Sequence, residues 1–266
     1  MEELFMKDKY HYLLSLKLLE FEIRELTTYS KQHCDCFELL KERLDYLCQF
    51  MINDDNLQRW SQWGEHAEIA EYAERVREAS IQALCDMEKY QAKYTCEHHS
   101  DISDYLDTLA RAVNDEMKKH HIDDSSKVLF IGSGAFPTSA LTIARETRAQ
   151  VMCLDIDPEA IEWAQQVAAT SGLGDCISFT NKKAQELSFT GEATHIIIAS
   201  LVKNKLEVLE ELRQHMNPQA KIIVRYGNGL KSIFNYPLEA DVADTWVQRK
   251  INDDRHLYDT LVLERR

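Results

Sequence analysis

Five short apolar runs, "KVLFIG", "QVMCLDID", "CISFT", "THIIIAS" and "AKIIVRYG", follow one another in the second half of the chain, with ten to twenty-odd residues between them. Runs this apolar, joined by helical segments, specify a parallel sheet buried on both faces. "ALTIARET", "PEAIEWAQQVAAT" and "KLEVLEELRQHM" supply the helices, and "ADTWVQRKI" and "LYDTLVLERR" can add a closing antiparallel pair. The fold class expected for residues 125–266 is therefore α/β, a doubly wound domain. It begins at the polar stretch "HHIDDSS" (120–126).

Residues 1–124 follow a different period. Cys36, Phe37, Leu40, Leu44, Leu47, Cys48 and Met51 recur at three and four, one face of an amphipathic helix. "NDDN" at 53–56 breaks that pattern and can cap a new segment. Ile69, Tyr72, Ala73, Val76, Ala83, Leu84, Met87, Tyr90 and Tyr94 form a second pattern, and Tyr105, Leu106, Leu109, Ala112, Val113 and Met117 a third. No proline precedes Pro137. An N-terminal helical bundle is expected, followed by the α/β domain.

A net charge of −14 argues against partners with a phosphate backbone or an anionic membrane surface. Seven cysteines without a CxxC favour free thiols over a disulfide framework. Cys34 and Cys36 lack a second ligand pair at zinc-like spacing, and His98–His99 and His120–His121 lack an HExxH pattern, so no metal site is expected. The opening "MEELFMKDKYHYLL" has no signal-type apolar core, and no apolar run reaches the ~18 residues of a membrane span. A cytoplasmic protein is expected.

"KVLFIGSGAFPTSALTIA" reads as strand, glycine turn and helix. Ligands of open α/β sheets sit beyond the carboxyl ends of the strands, so Gly132 and Gly134 are expected to make a ligand-facing corner, although glycines at such turns also serve packing alone. Pro137 suits a helix start. Asp155 closes the second strand 23 residues after Gly132, the offset of an acid that accepts from ribose hydroxyls. Asp157, before Pro158, fits a helix N-cap better. A dinucleotide needs a free helix N-terminus for its pyrophosphate, but Phe136 and Pro137 stand there. A nucleoside cofactor without phosphate fits better. "DIDPEAIEWA" is similar to the second-strand segment of Rossmann-like class I S-adenosylmethionine enzymes, which raises a small-molecule methyltransferase as one reading.

"FIGSGAFPTSALTIA", "LDIDPEAI", "IIIASLVKNKLEVLEEL" and "IIVRYGNGLKSIFNYP" together resemble the nicotianamine synthase family. Within it they are most similar to bacterial histidine 2-aminobutanoyltransferases of staphylopine- and pseudopaline-type opine metallophore biosynthesis. The resemblance covers the α/β half in order, and extends more thinly through Trp63, Glu88, Tyr105 and Asp107. It implies that S-adenosylmethionine donates its 2-aminobutanoate arm, not its methyl, to the α-amine of histidine, and that methylthioadenosine leaves. The metal would be a ligand of the product. An opine dehydrogenase would take that product further.

The resemblance also implies site residues. The base is a glutamate of the helical half: Glu88 by local similarity to the bacterial members, or Glu78 by spacing to the assisting tyrosine, placed at Tyr105. Gly132, Ser133, Gly134, Phe136, Pro137, Asp155, Ile156, Asp157 and Ala199 would line the donor. Arg225, Tyr226 and Tyr236 would meet the acceptor, although Arg225 also reads as a strand-end ion pair and Tyr236 as packing. The residues leave the hand of the histidine open. Apolar helical faces make a homodimer reasonable. A methyltransferase, or a non-catalytic module docking through its helices, are the alternatives.

Overall fold

The computed structural model describes residues 2–98, 113, 116–238, 242–251 and 256–266. Four helices open the chain: α1 (Glu2–Gln32), α2 (Cys36–Met51), α3 (Asp54–Trp63) and α4 (Ala67–His98). The heptad-like spacing in α2 buries Leu40, Leu44, Leu47, Phe50 and Met51, each worth roughly 1.5–3 kcal/mol of transfer free energy. Asn53 caps α3 as the "NDDN" break suggests, its side chain accepting from Asn56 N at 3.1 Å. The second apolar pattern is one continuous helix, α4.

The rest alternates as the apolar runs require: β1 (Lys127–Ile131), α5 (Thr138–Thr147), β2 (Gln150–Leu154), α6 (Pro158–Thr170), β3 (Ile177–Thr180), the short α7 (Ser188–Glu192), β4 (His195–Ile198), α8 (Lys205–His215), β5 (Lys221–Tyr226), β6 (Trp246–Ile251) and β7 (Asp259–Arg265). The sheet order is β3-β2-β1-β4-β5-β7-β6. β1 pairs in parallel with β2 and β4, β2 with β3, and β4 with β5. The order reverses at β1, which is where a doubly wound sheet opens a ligand crevice. The two C-terminal runs join this same sheet, with β7 between β5 and β6.

The chain forms two compact units. One holds Met1–Met87, Tyr226–Glu239 and Ile251–Thr260; the other holds Glu88–Arg225, Ala240–Lys250 and Leu261–Arg266. The first has a core of α1–α4 side chains joined by Leu230 and Ile233. In the second, Ala92 of α4 packs with Val128, Phe130, Val151, Ile197 and Ile223 from the sheet. The sequence puts the boundary at 124/125, whereas the compact units divide inside α4 and the first recovers two C-terminal segments. The apolar period of α4 runs through residues 87 and 88 without a break, so periodicity carries no mark there. Among the described residues no helix is long and apolar enough to cross a membrane.

Candidate active site

β1 ends at Ile131 and the chain turns sharply. Gly132 and Gly134 have φ of +81° and +70°, a region that side-chain-bearing residues resist. Gly132 N and Ser133 N donate to Leu154 O at 2.8 and 3.1 Å, tying the turn to the end of β2. A methyl group at Gly132 would meet Val202 and Ala199. Buried Lys205 fixes that neighbouring loop by donating to Ser200 O at 2.8 Å and Val202 O at 2.7 Å. One at Gly134 would collide with Glu88 Oε2. Both glycines are thus required twice, by backbone conformation and by close approach.

The next two backbone N–H groups go to different carboxylates. Gly134 N donates to Asp155 Oδ2 at 2.8 Å, and Ala135 N to Glu88 Oε2 at 3.2 Å. Part of Glu88 remains open to solvent, yet protein atoms crowd its carboxyl group. Burial, followed by the nearby charge of Asp155, pushes that carboxyl up to about 8 against the pull of the Ala135 and Phe136 N–H groups. Glu88 does not pair with its neighbour Lys89. That lysine bridges Asp157 at 2.7 Å and Glu159 at 2.6 Å on the first turn of α6.

Asp155 also accepts from Asp157 N at 3.1 Å through Oδ1. A carboxylate has about four acceptor positions, so two remain for a vicinal diol. Asp157 caps α6, accepting from Glu159 N at 3.0 Å. Between the two acids Ile156 is 96% exposed, an apolar surface suited to the face of a flat ring. Ser133 Oγ is buried with no hydrogen-bond partner among the described residues, which a polar ligand group would satisfy. The turn therefore offers a ring surface, a diol acceptor and a polar end, in that order. These features fit a nucleoside carrying a polar arm.

Phe136 buries its ring in the α/β core. Pro137 stands just before α5 at the cap position. Arg225 is buried, with Glu116 on its fork at 2.5 and 3.3 Å and Ser139 Oγ at 3.3 Å. A bidentate carboxylate therefore already occupies that guanidinium. Tyr226 and Tyr236 are buried in the helical unit. Tyr236 donates to both oxygens of Glu78 at 3.0 Å under the Arg77 guanidinium; burial first, then Glu78, pushes its phenol up to about 12. Glu78, the alternative base, is thus held by a tyrosine. Tyr105 lies outside the described residues. Among those described, no three His, Cys, Asp or Glu side chains are grouped to hold a metal ion.

Several contributors carry no sequence signal. Val202 and Lys205 act through loop geometry, and Glu116 is one acid among many in a helical stretch. Lys89 could have been found by noting that Glu88 and Lys89, as helix neighbours, face different directions.

The family described as "Nicotianamine synthase protein" matches residues 102–266. The L-histidine 2-aminobutanoyltransferase of Pseudomonas aeruginosa UCBPP-PA14 is 39% identical over 253 residues, 95% of this chain and 96% of that protein. A protein of the same name from Yersinia pestis is 35% identical over 255 residues, 95% of each chain. Two crystal structures of a Glu-to-Gln mutant of MtNAS share the fold. The first has a TM-score of 0.77 at 16% identity and covers 96% of this chain and 98% of its own. The second, in complex with S-adenosylmethionine, has 0.74 at 14% and covers 92% and 97%. With a match over most of its length and relatives at this identity, the chain belongs to the nicotianamine synthase family.

Proposed function

We propose that this protein transfers the 2-aminobutanoate group of S-adenosylmethionine to the α-amine of histidine. The observation that carries the reading is the Glu88 carboxyl, raised to about 8 and bonded to the same glycine turn whose other N–H binds Asp155. The names of its relatives support the substrate pair. When bound, the donor supplies a γ-carbon whose bond to positively charged sulfur breaks as the amine nitrogen bonds to it, leaving methylthioadenosine.

Each protein group then has a task. Asp155 accepts from the ribose hydroxyls, and Ile156 covers the base. The turn of Gly132, Ser133 and Gly134 lies under the amino-acid arm, and the hydroxyl of Ser133 bonds its polar end. Glu88 takes a proton from the acceptor's α-ammonium. Tyr105 assists by the family resemblance.

Incubation with S-adenosylmethionine and L-histidine tests the reading by its nucleoside by-product. Methylthioadenosine is expected; S-adenosylhomocysteine would mean methyl transfer instead. Running D-histidine in parallel decides the hand of the acceptor. The product carries imidazole, amine and carboxylate donors suited to divalent transition metals. Its further use by an opine dehydrogenase in metallophore assembly belongs to the same proposal. None of the seven cysteines is joined in a disulfide, which suits the cytoplasm. Exposed Tyr10, Leu14, Leu18 and Phe21 along one side of α1 support a homodimer. Leu18→Glu should then lower the sedimentation coefficient; an unchanged monomer value in the wild type would refute the dimer.

A further inference from the structure

The four-residue turn 132–135 has an acid on each side. Asp155 Oδ2 holds the N–H of Gly134 and Glu88 Oε2 the N–H of Ala135, so the two carboxylates sit on consecutive peptide units. Glu88 also fills the space that a side chain at Gly134 would take. The charged groups around Glu88 are few. Asp155 at the end of β2 opposes its ionisation, and the N–H groups of Ala135 and Phe136 favour it. Lys89, the adjacent cation on α4, is drawn away to Asp157 and Glu159 on α6. Among the described groups, then, no cation stands against the Glu88 carboxylate.

A sulfonium lies between the ribose and the amino-acid arm of the donor. With the ribose on Asp155 and the arm over the glycines, that charge arrives beside Glu88. We propose that binding of the sulfonium donor drives the proton off Glu88, so that the base is armed by the cation it serves. This rests on the S-adenosylmethionine reading above.

The proton balance of a full cycle agrees. Glu88 starts protonated and releases one proton to solvent as the donor binds. The carboxylate then takes one proton from the α-ammonium of the acceptor. The freed nitrogen pair bonds to the γ-carbon while the carbon–sulfur pair returns to sulfur. The product is a secondary ammonium, the sulfur is a neutral thioether, and Glu88 is protonated again. One proton leaves per turnover, and it leaves at donor binding. Once the secondary ammonium product has left, the thioether brings no cation to the site and Glu88 stays neutral.

Calorimetric titration at pH 7 without histidine, repeated in buffers of different ionisation enthalpy, counts protons released on binding. S-adenosylhomocysteine, which has the same arm but no sulfonium charge, is the comparator. S-adenosylmethionine should release about 0.9 proton more than S-adenosylhomocysteine, as a carboxyl near 8 is mostly protonated at pH 7. Glu88→Gln should abolish that difference. Equal proton release by the two ligands in the wild type would overturn the proposal while leaving the donor assignment standing. Failure of S-adenosylmethionine to bind the wild type would overturn the donor assignment itself.

Discussion

The proposed chemistry comes down to one carboxyl group and the turn it touches. In its proposed role Glu88 is the base, and burial holds its carboxyl up at about 8 until the sulfonium donor binds. The kcat/KM of the wild type should climb through that region. Glu88→Gln should lower kcat by about 10²–10⁴-fold and lose that limb; a rate within a few-fold of wild type would exclude Glu88 as the base. Gly134→Ala forces a methyl group into Glu88 Oε2 at a φ of +70°. Strain of this kind costs about 1–3 kcal/mol, so urea unfolding should show that loss together with weaker nucleoside binding. The place of the glycines and Asp155 on the turn was legible in the sequence because the turn dictates their spacing; their role is the proposal. The state of Glu88 was not, since burial of a helix acid depends on what packs against it. Arg225 shows the same limit: its position was readable, but its partner Glu116 lies 109 residues away.

At the scale of elements, the period of the apolar runs specified all five parallel-sheet strands and the helices between them, because burial on both faces leaves little other choice. Short α7 and the loop 199–204 escaped, having too few residues to show a period. The division of α4 between two cores escaped for the opposite reason, an unbroken period. Asp157 joins two elements, capping α6 and binding Lys89 of α4 at 2.7 Å. Asp157→Ala should cost about 1 kcal/mol of stability and raise KM for S-adenosylmethionine more than it lowers kcat. The partly exposed ion pair itself adds little to stability; its value is in holding the loop that carries Asp155. An unchanged KM would show that the loop needs no such tether.

For the molecule as a whole, acid is the weak side. His120 is buried, Nδ1 has no partner among the described residues, and burial lowers it to about 4. His195, bonded to His120 O at 3.0 Å, is lowered for the same reason. Between the unfolded value of 6.5 and about 4 the unfolded chain binds protons that the folded protein refuses. Stability therefore falls as pH drops through that window. His120→Gln should flatten the fall in Tm between those limits, whereas a parallel curve would remove His120 from the account. The central claim is that the donor's butyrate arm moves and its methyl stays. S-adenosylmethionine labelled with ¹³C in the methyl in one preparation, and in the aminobutanoate carbons in another, tests this by mass spectrometry of the histidine product. Label should reach histidine only from the second preparation; label arriving from the methyl would rule out transfer of the arm.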